Sequence, residues 1–466
     1  MRGDYSLKDE LTRIIDSGQK LGAEYVEVRA QRLFRTVITS KDSRIEVVRK
    51  GIENGAAIRV LVNGAWGFAS NGTLEPKQLM DSVSEACRMA KAASLRVKEP
   101  AKLADIKTIE ARVTIKPKAN PKEVPTEKKI NMLLAEDKII FDCDKNVKSC
   151  TINYLDISGT NYFANSDKTY IEQDKLYLYL STVVWAREAD KLALGSDVVG
   201  YTTGFEVFET ETPEKIGRRA AMRSLDQLKA KTPKGGTYPA IIGPQIIGVF
   251  AHEAFGHLAE ADLTLAGSVL IDKLGKKVGS EIVNIVDDGT IEGAIGTYKY
   301  DDEGVPAQKT PLIKNGEIVG LMHNRETAQK YGTKPTGNAR AEDFRYEPII
   351  RQRNTYFTKG DRSFEEMLED IKLGYYIKNY RGGQANLDGT FQVGVQEAHE
   401  IVNGELGASV RNVSFSGNTL ETLYRVDAVG KDFELNVGVC GKGQAAFCGA
   451  GGPHTRVKEV LIGGGA

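Results

Sequence analysis

Two histidines and a glutamate stand close together in the stretch FAHEAFGHLAEAD, residues 250 to 262, at His252, Glu253 and His257. In the motif H-E-x-x-H, imidazoles at i and i+4 share one helical face, grip a metal ion, and leave the glutamate to take a proton from water. Here the second histidine comes one residue late. On a regular helix, positions i and i+5 differ by roughly 140°, so the two rings would diverge. One extra residue in the turn, a π-bulge, removes the mismatch, and such bulges are frequent at functional sites. The spacing therefore predicts a distorted helix, with Gly256 easing the distortion through its backbone freedom. The preceding AIIGPQIIGVFA is strongly apolar, so the histidines enter a core, where buried polar groups need partners.

A catalytic zinc site keeps three protein ligands and one open position, so one more donor is required. Nearby candidates are Glu260 and Asp262, of which Glu260 can equally accept a hydrogen bond from His257. Distant candidates are Cys440 in NVGVCGKGQ and Cys448 in AAFCGAGGPH. Cys440 is the better donor, because Gly438 and Gly441 allow close backbone approach and Lys442 favours a thiolate. A small buried hydrophobe is the plain alternative for either cysteine. A Cys440–Cys448 redox pair is disfavoured in a reducing compartment. Cys87, Cys143 and Cys150 sit in helix or strand patterns and carry no chemistry.

These residues must be positioned by a chain of 466 residues, 41% hydrophobic, long enough for at least two domains. An α+β class is expected. SLKDELTRIIDSGQKLG, with a capping pattern from Ser6 to Asp9, reads as an amphipathic helix. YVEVRAQ, SRIEVVRK and AAIRVLVNGAWGFAS alternate as strands, with a tight hairpin at Asn63-Gly64. A second helix is expected with Thr73 as cap, Pro76 in its first turn, and Leu79, Met80, Val83, Cys87 and Ala90 on one face. Residues 97–127 are rich in Lys, Glu and Pro and read as an exposed connection holding one strand. VKSCTINYLDISGTNYFANS and KLYLYLSTVVWA read as strands, the first pair turning at Ser158-Gly159, before a helix over TPEKIGRRAAMRSLDQLKA. The run KTPKGG marks the domain break, giving an N-terminal α+β domain over 1–230 and a C-terminal domain over 237–466. The latter is mainly antiparallel β, with hairpins at VDDGT, LIKNGEIVG and IVNGELG, one long helix over SFEEMLEDIKLGYYI, and the HEAFGH helix set against the sheets.

The 63 basic and 63 acidic side chains cancel, which argues against a nucleic-acid or anionic-membrane partner held by bulk charge. No segment is apolar enough to cross a bilayer and no signal peptide is evident, so a cytoplasmic location is expected. Five cysteines in so long a chain are not a disulfide framework.

HEAFGHLAEAD and VGVCGKGQ together resemble the TldD/PmbA metallopeptidase family in its TldD-type, motif-bearing branch. The likeness extends through YVEVRAQ, IRVLVNGAWGFAS, DDEGVPAQKTPLIKNGEIVG, TGNARAEDF and YRGGQANLDGTFQVGVQEAHEIVNGELG. It implies that His252, His257 and Cys440 hold the metal, that Glu253 is the catalytic carboxylate, and that a dimer, of two copies or with a related subunit, encloses the sites. Where this chain reads FCGAGGPHTRV the family has a simpler Gly-rich turn, so no role for Cys448 or His454 is inherited. The expected activity is a metal-dependent peptidase, with Glu253 as general base toward an activated water. Zinc suits two nitrogens and one sulfur, and iron is compatible. His323, Arg340, Tyr346 and His399 are candidates to stabilise the oxyanion. The many hairpins suggest that an unstructured peptide binds by adding a strand. A non-catalytic binding or modulatory role, known for motif-lacking family members, is the alternative.

Overall fold

The computed structural model describes residues 7–464. The chain is α+β and builds three large sheets. The first belongs to the N-terminal half, where the strands Tyr25–Lys41, Arg44–Val62, Val147–Asn165 and Tyr170–Glu188 run side by side, with Ala65–Asn71, Glu110–Val113 and Lys191–Tyr201 beyond them. Strands pleat with period two, and helices cover one of the two faces so produced. Val26, Val28 and Ala30 pack under the helices Leu7–Lys20 and Pro76–Ser94, and Ile38, further along the same strand, packs under Thr126–Cys143 and Pro213–Lys229. Residues of the opposite face reach the C-terminal half. Arg59 donates to Glu303 at 2.7 Å, and Gln173 takes the backbone of Lys299 and Tyr300 on its side-chain oxygen.

Beyond residue 230 lie a six-stranded and a seven-stranded sheet. In the six-stranded sheet, Ile285–Asp288 and Asn354–Phe357 occupy the centre, and the hairpin of Ala445–Gly452 and Glu434–Gly441 forms one side, with Glu434–Gly441 at the edge. The seven-stranded sheet closes on itself, because Leu373–Ala385 pairs with both Gly236–Ile242 and Thr390–Val402. Its apolar interior and the six-stranded sheet clamp the segment 244–259 in one core. Phe250 lies 5.2 Å from Phe391, 6.0 Å from Phe415 and 6.2 Å from Phe357, ring centre to ring centre.

The Asn-Gly turns fold as hairpins, Asn63-Gly64, Asn315-Gly316 and Asn403-Gly404 all having positive φ. Other expectations are corrected. Ser158-Gly159 is no turn: it lies within Val147–Asn165, paired on both sides, and glycine serves there because a Cβ would press on the Arg32 carbonyl at 2.1 Å. The reversal comes at 166–168, where Lys168 takes φ +65°. The second helix is capped at Glu75 without a side-chain bond, Thr73 instead accepting from the Glu75 amide, and Met80 is exposed while Leu79, Val83, Cys87 and Ala90 are buried. Within 97–127 the strand Glu110–Val113 is present, but Ala101, Ala104 and Val124 are buried. The helix Thr126–Cys143 was not foreseen; it buries Lys129, Glu136 and Asp137 together with Leu133 and Ile140, so its buried stripe is half polar and its period is blurred.

VDDGT does not turn back directly, because Ile285–Asp288 meets its partner Lys309–Lys314 only after a long excursion. The helix over SFEEMLEDIKLGYYI shrinks to Phe364–Leu368, with a Ser363/Glu366 capping box, and LGYYI becomes part of Leu373–Ala385, where Tyr375, Tyr376 and Ile377 are buried. Aromatic and β-branched residues suit that pleated, buried surface. The expected cap Ser6 lies outside the described residues. Among the described residues all five cysteines are free, and no helix is long and apolar enough to cross a membrane.

Candidate metal centre

The helix that starts at Pro244 changes its hydrogen-bonding pattern at Phe250. Residues 250–256 form a π-helix in which the His257 amide donates to the His252 carbonyl, five residues back, and 257–259 tighten into a 3₁₀ turn. The distorted helix expected from the late histidine is therefore present, although Gly256 does not ease it through backbone freedom. Gly256 has φ −59° and ψ −45°, ordinary helical values. A Cβ here would lie 1.9 Å from Gln352 Oε1, and that amide is tied down at both ends, Nε2 donating to the same His252 carbonyl at 3.0 Å and Oε1 accepting from Thr355 at 2.7 Å. The cramped space, not backbone freedom, selects the residue.

With the extra residue absorbed, the two rings turn toward one point, their centres 5.2 Å apart. Cys440, from the edge strand Glu434–Gly441, reaches the same point, its Sγ 3.1 Å from His257 Nε2. The donor atoms of His252, Glu253, His257 and Cys440 all lie within 4.8 Å of one another. Glu253 Oε2 is 3.5 Å from His257 Nε2, and its Oε1 is 3.9 Å from His252 Nε2. Nitrogen and sulfur donors on one tetrahedral zinc stand about 3.6 Å apart, given metal bonds of about 2.1 and 2.3 Å. This donor set fits a single metal ion.

Glu260 is not in that group. It is fully buried and accepts from His257 Nδ1 at 3.1 Å, fixing the ring so that Nε2 points at the other donors. Asp262 is likewise outside, paired with Lys442 at 2.7 Å. Lys442 does not serve the thiolate as expected; it bridges Asp262 and Glu260, the latter at 2.8 Å. Nor does Gly441 relieve a close approach, since a Cβ there would meet nothing. The buried Nδ1 of His252 has no partner, so the two imidazoles are unequally supported.

The electrostatics differ as sharply. Burial, then the charges of His257, Arg351 and Arg340, push His252 well below the ordinary histidine range, so it stays neutral and free to donate a lone pair. Burial opposes charge on His257 too, but Glu260 and Cys440 outweigh it and raise the ring to about 10. Without a metal, a proton on His257 sits among the same donors and must leave when a cation enters. Burial raises the Glu253 carboxyl, His257 moderating and Glu260 adding to the effect. Burial also raises the Cys448 thiol strongly.

Of the four oxyanion candidates, Arg340 acts on the site through its charge, though its guanidinium is already committed to the Gln352 carbonyl at 2.7 Å. His323 binds Thr327 at 3.1 Å beside Tyr331, His399 packs on Tyr376, and the Tyr346 carbonyl accepts from Arg29. His454 is held by Asp432 and the Tyr376 hydroxyl. The sequence reading missed the residues that seat the site, Arg351 and Gln352. Arg351, almost wholly buried, donates to the Cys440 carbonyl at 2.7 Å and also binds the Gln444 carbonyl, locking the hairpin that presents the sulfur. The run EPIIRQRNTYF carries the signal, two arginines and two amides placed inside an apolar strand pattern. Tyr380 was also missed; burial with the nearby charges of Glu253 and Cys440 raises its hydroxyl to about 12.

Three family models match in order, described as PmbA/TldA metallopeptidase domain 1 over residues 26–94, the central domain over 119–228 and the C-terminal domain over 235–464. A protein named metalloprotease from Methanothermobacter thermautotrophicus is 40% identical over 95% of this chain and 96% of its own. The chain belongs to the PmbA/TldD metallopeptidase family. Another relative, named zinc metalloprotease TldD homolog, from Saccharolobus solfataricus, is 33% identical over 97% of this chain and 99% of its own. Among solved structures, TldE from Thermococcus kodakarensis superposes with a TM-score of 0.79, covering 98% of this chain and 100% of that one, at 23% identity. At that identity the likeness shows the fold.

Proposed function

We propose that the chain is a peptidase whose metal is held by His252 Nε2, His257 Nε2 and Cys440 Sγ, with Glu253 as general base. The observation that carries this reading is the convergence of these four side chains, from an irregular turn and a distant strand, within 4.8 Å. A metal bound there, zinc or iron by donor type, supplies Lewis acidity that activates water and polarises a carbonyl. The chain's own residues do the rest. Glu253 is about one third exposed, and burial raises its carboxyl, which makes it a stronger base than an ordinary glutamate, able to take a proton from water and deliver it to the departing peptide nitrogen. Glu260 orients His257, and Arg351 fixes the strand that carries Cys440.

Substrate binding is proposed along the strand Glu434–Gly441. It pairs on one side with Ala445–Gly452 and is the edge of its sheet, with Val439 half exposed beside Cys440. An extended peptide adding to this edge gains main-chain hydrogen bonds beside the metal site and little side-chain selection. Flexible peptides suit that mode, and a dimer, of two copies or with a related subunit, is proposed as the working form, in the cytoplasm.

Metal content and cleavage of an unstructured peptide test the reading. Glu253→Gln keeps the metal and loses cleavage, whereas Cys440→Ser loses both. Undiminished cleavage by metal-loaded Glu253→Gln rules out the mechanism.

A further inference from the structure

Cys448 has no part in the site as described, yet it is its neighbour. It is 3% exposed, and its Sγ lies 3.9 Å from Nε2 of His252, the nitrogen that faces the other donors. Across the hairpin, Cys440 stands opposite Ala446 and Cys448 opposite Gly438. Positions 446 and 448 point to one face of the strand, so both sulfurs face the histidines. Glycine at 438 leaves the second sulfur its space, since a Cβ there would come within 3.3 Å of it.

We infer that Cys448 is a reserve ligand of the metal centre, taking the fourth position as a thiolate when no peptide occupies it. The inference rests on the metal-site reading above. Its geometric basis is the pair of nitrogen–sulfur separations, 3.1 Å for His257 with Cys440 and 3.9 Å for His252 with Cys448. They bracket the roughly 3.6 Å between such donors on one tetrahedral zinc. Cys448 stands outside the group of four that lie within 4.8 Å, so joining it takes a turn of the side chain toward the centre. As a ligand the thiol would give up its proton to solvent, and on displacement by a peptide it would take one back. A closed set of two histidines and two cysteines holds metal firmly and does not activate water. The site would thus be silent until substrate arrives.

Cobalt(II) loaded into the full chain reports the number of bound thiolates through its sulfur-to-metal charge-transfer absorption. The native chain is expected to show about twice the band of Cys448→Ala and of Cys448→Ser, which keeps the shape of the side chain without its sulfur. Saturation with an uncleaved unstructured peptide should bring the native band down to that of the variants. Equal bands in the native chain and both variants, with cobalt bound in each, overturn the inference and leave the metal site intact. A native chain that binds no cobalt at His252, His257 and Cys440 overturns the underlying reading as well.

Discussion

His257 Nε2 and Cys440 Sγ lie 3.1 Å apart although 183 residues separate them in the chain. Two devices bring about the contact, an extra residue absorbed in the helix and a hairpin clamped by a buried arginine. Each can be perturbed separately.

Glu260 is the most direct lever on the proposed centre, because it touches the far nitrogen of His257 and stands outside the four clustered donors. Glu260→Gln should weaken metal affinity by about 10- to 100-fold, measured by competition with a chelator. Lys442 loses its Glu260 partner in the variant but keeps Asp262, so the cation is still paired. Unchanged affinity would mean that the His257–Glu260 contact does not tune the site.

Gly256→Ala forces a methyl group onto Gln352 Oε1. Overpacking of this kind costs about 1–3 kcal/mol, and here it also strains the π turn, so loss of metal affinity should accompany loss of stability. Shortening Gln352 to Ala opens the space. The double variant should then be more stable than the two single effects summed, a coupling that denaturation of all four proteins measures. Strict additivity would show that the clash is relieved elsewhere.

Glu136 offers a pH test remote from the metal. Burial raises its carboxyl to about 8, with Thr182 donating to one oxygen at 2.5 Å and the other oxygen buried unpartnered. Below the ordinary glutamate pKa both folded and unfolded chains are protonated there, and nothing is lost. As pH climbs toward 8 the unfolded chain sheds the proton while the folded one keeps it, so stability falls, by up to about 5 kcal/mol, and then levels. Glu136→Gln should remove this decline. Its advantage over the native chain in denaturant midpoint should grow between pH 4.5 and 8; a difference independent of pH contradicts the assignment.

What the sequence made legible follows from how local the cause was. The Asn-Gly turns need only φ > 0 at adjacent residues, and the π turn follows from two histidines one residue too far apart. Where the cause is tertiary, the reading failed. Ser158-Gly159 looks like a turn, yet the approach of the Arg32 backbone requires that glycine. LGYYI continues a helical pattern until the barrel takes it as a strand. Gly256 was singled out for a freedom it does not use. Cys440 could be preferred over Glu260 by residue type and family likeness, but only the folded chain shows Glu260 turned to the other nitrogen of His257. Arg351 and Gln352 belong to no motif; their roles consist of which carbonyls they meet.

The most direct measurement is anomalous X-ray diffraction at the metal's absorption edge, on crystals of the metal-loaded chain. A single strong peak is expected between His252 Nε2, His257 Nε2 and Cys440 Sγ, with the Glu253 carboxylate beside it. A peak bound by other residues, or none in protein shown to carry metal, would contradict the proposed centre.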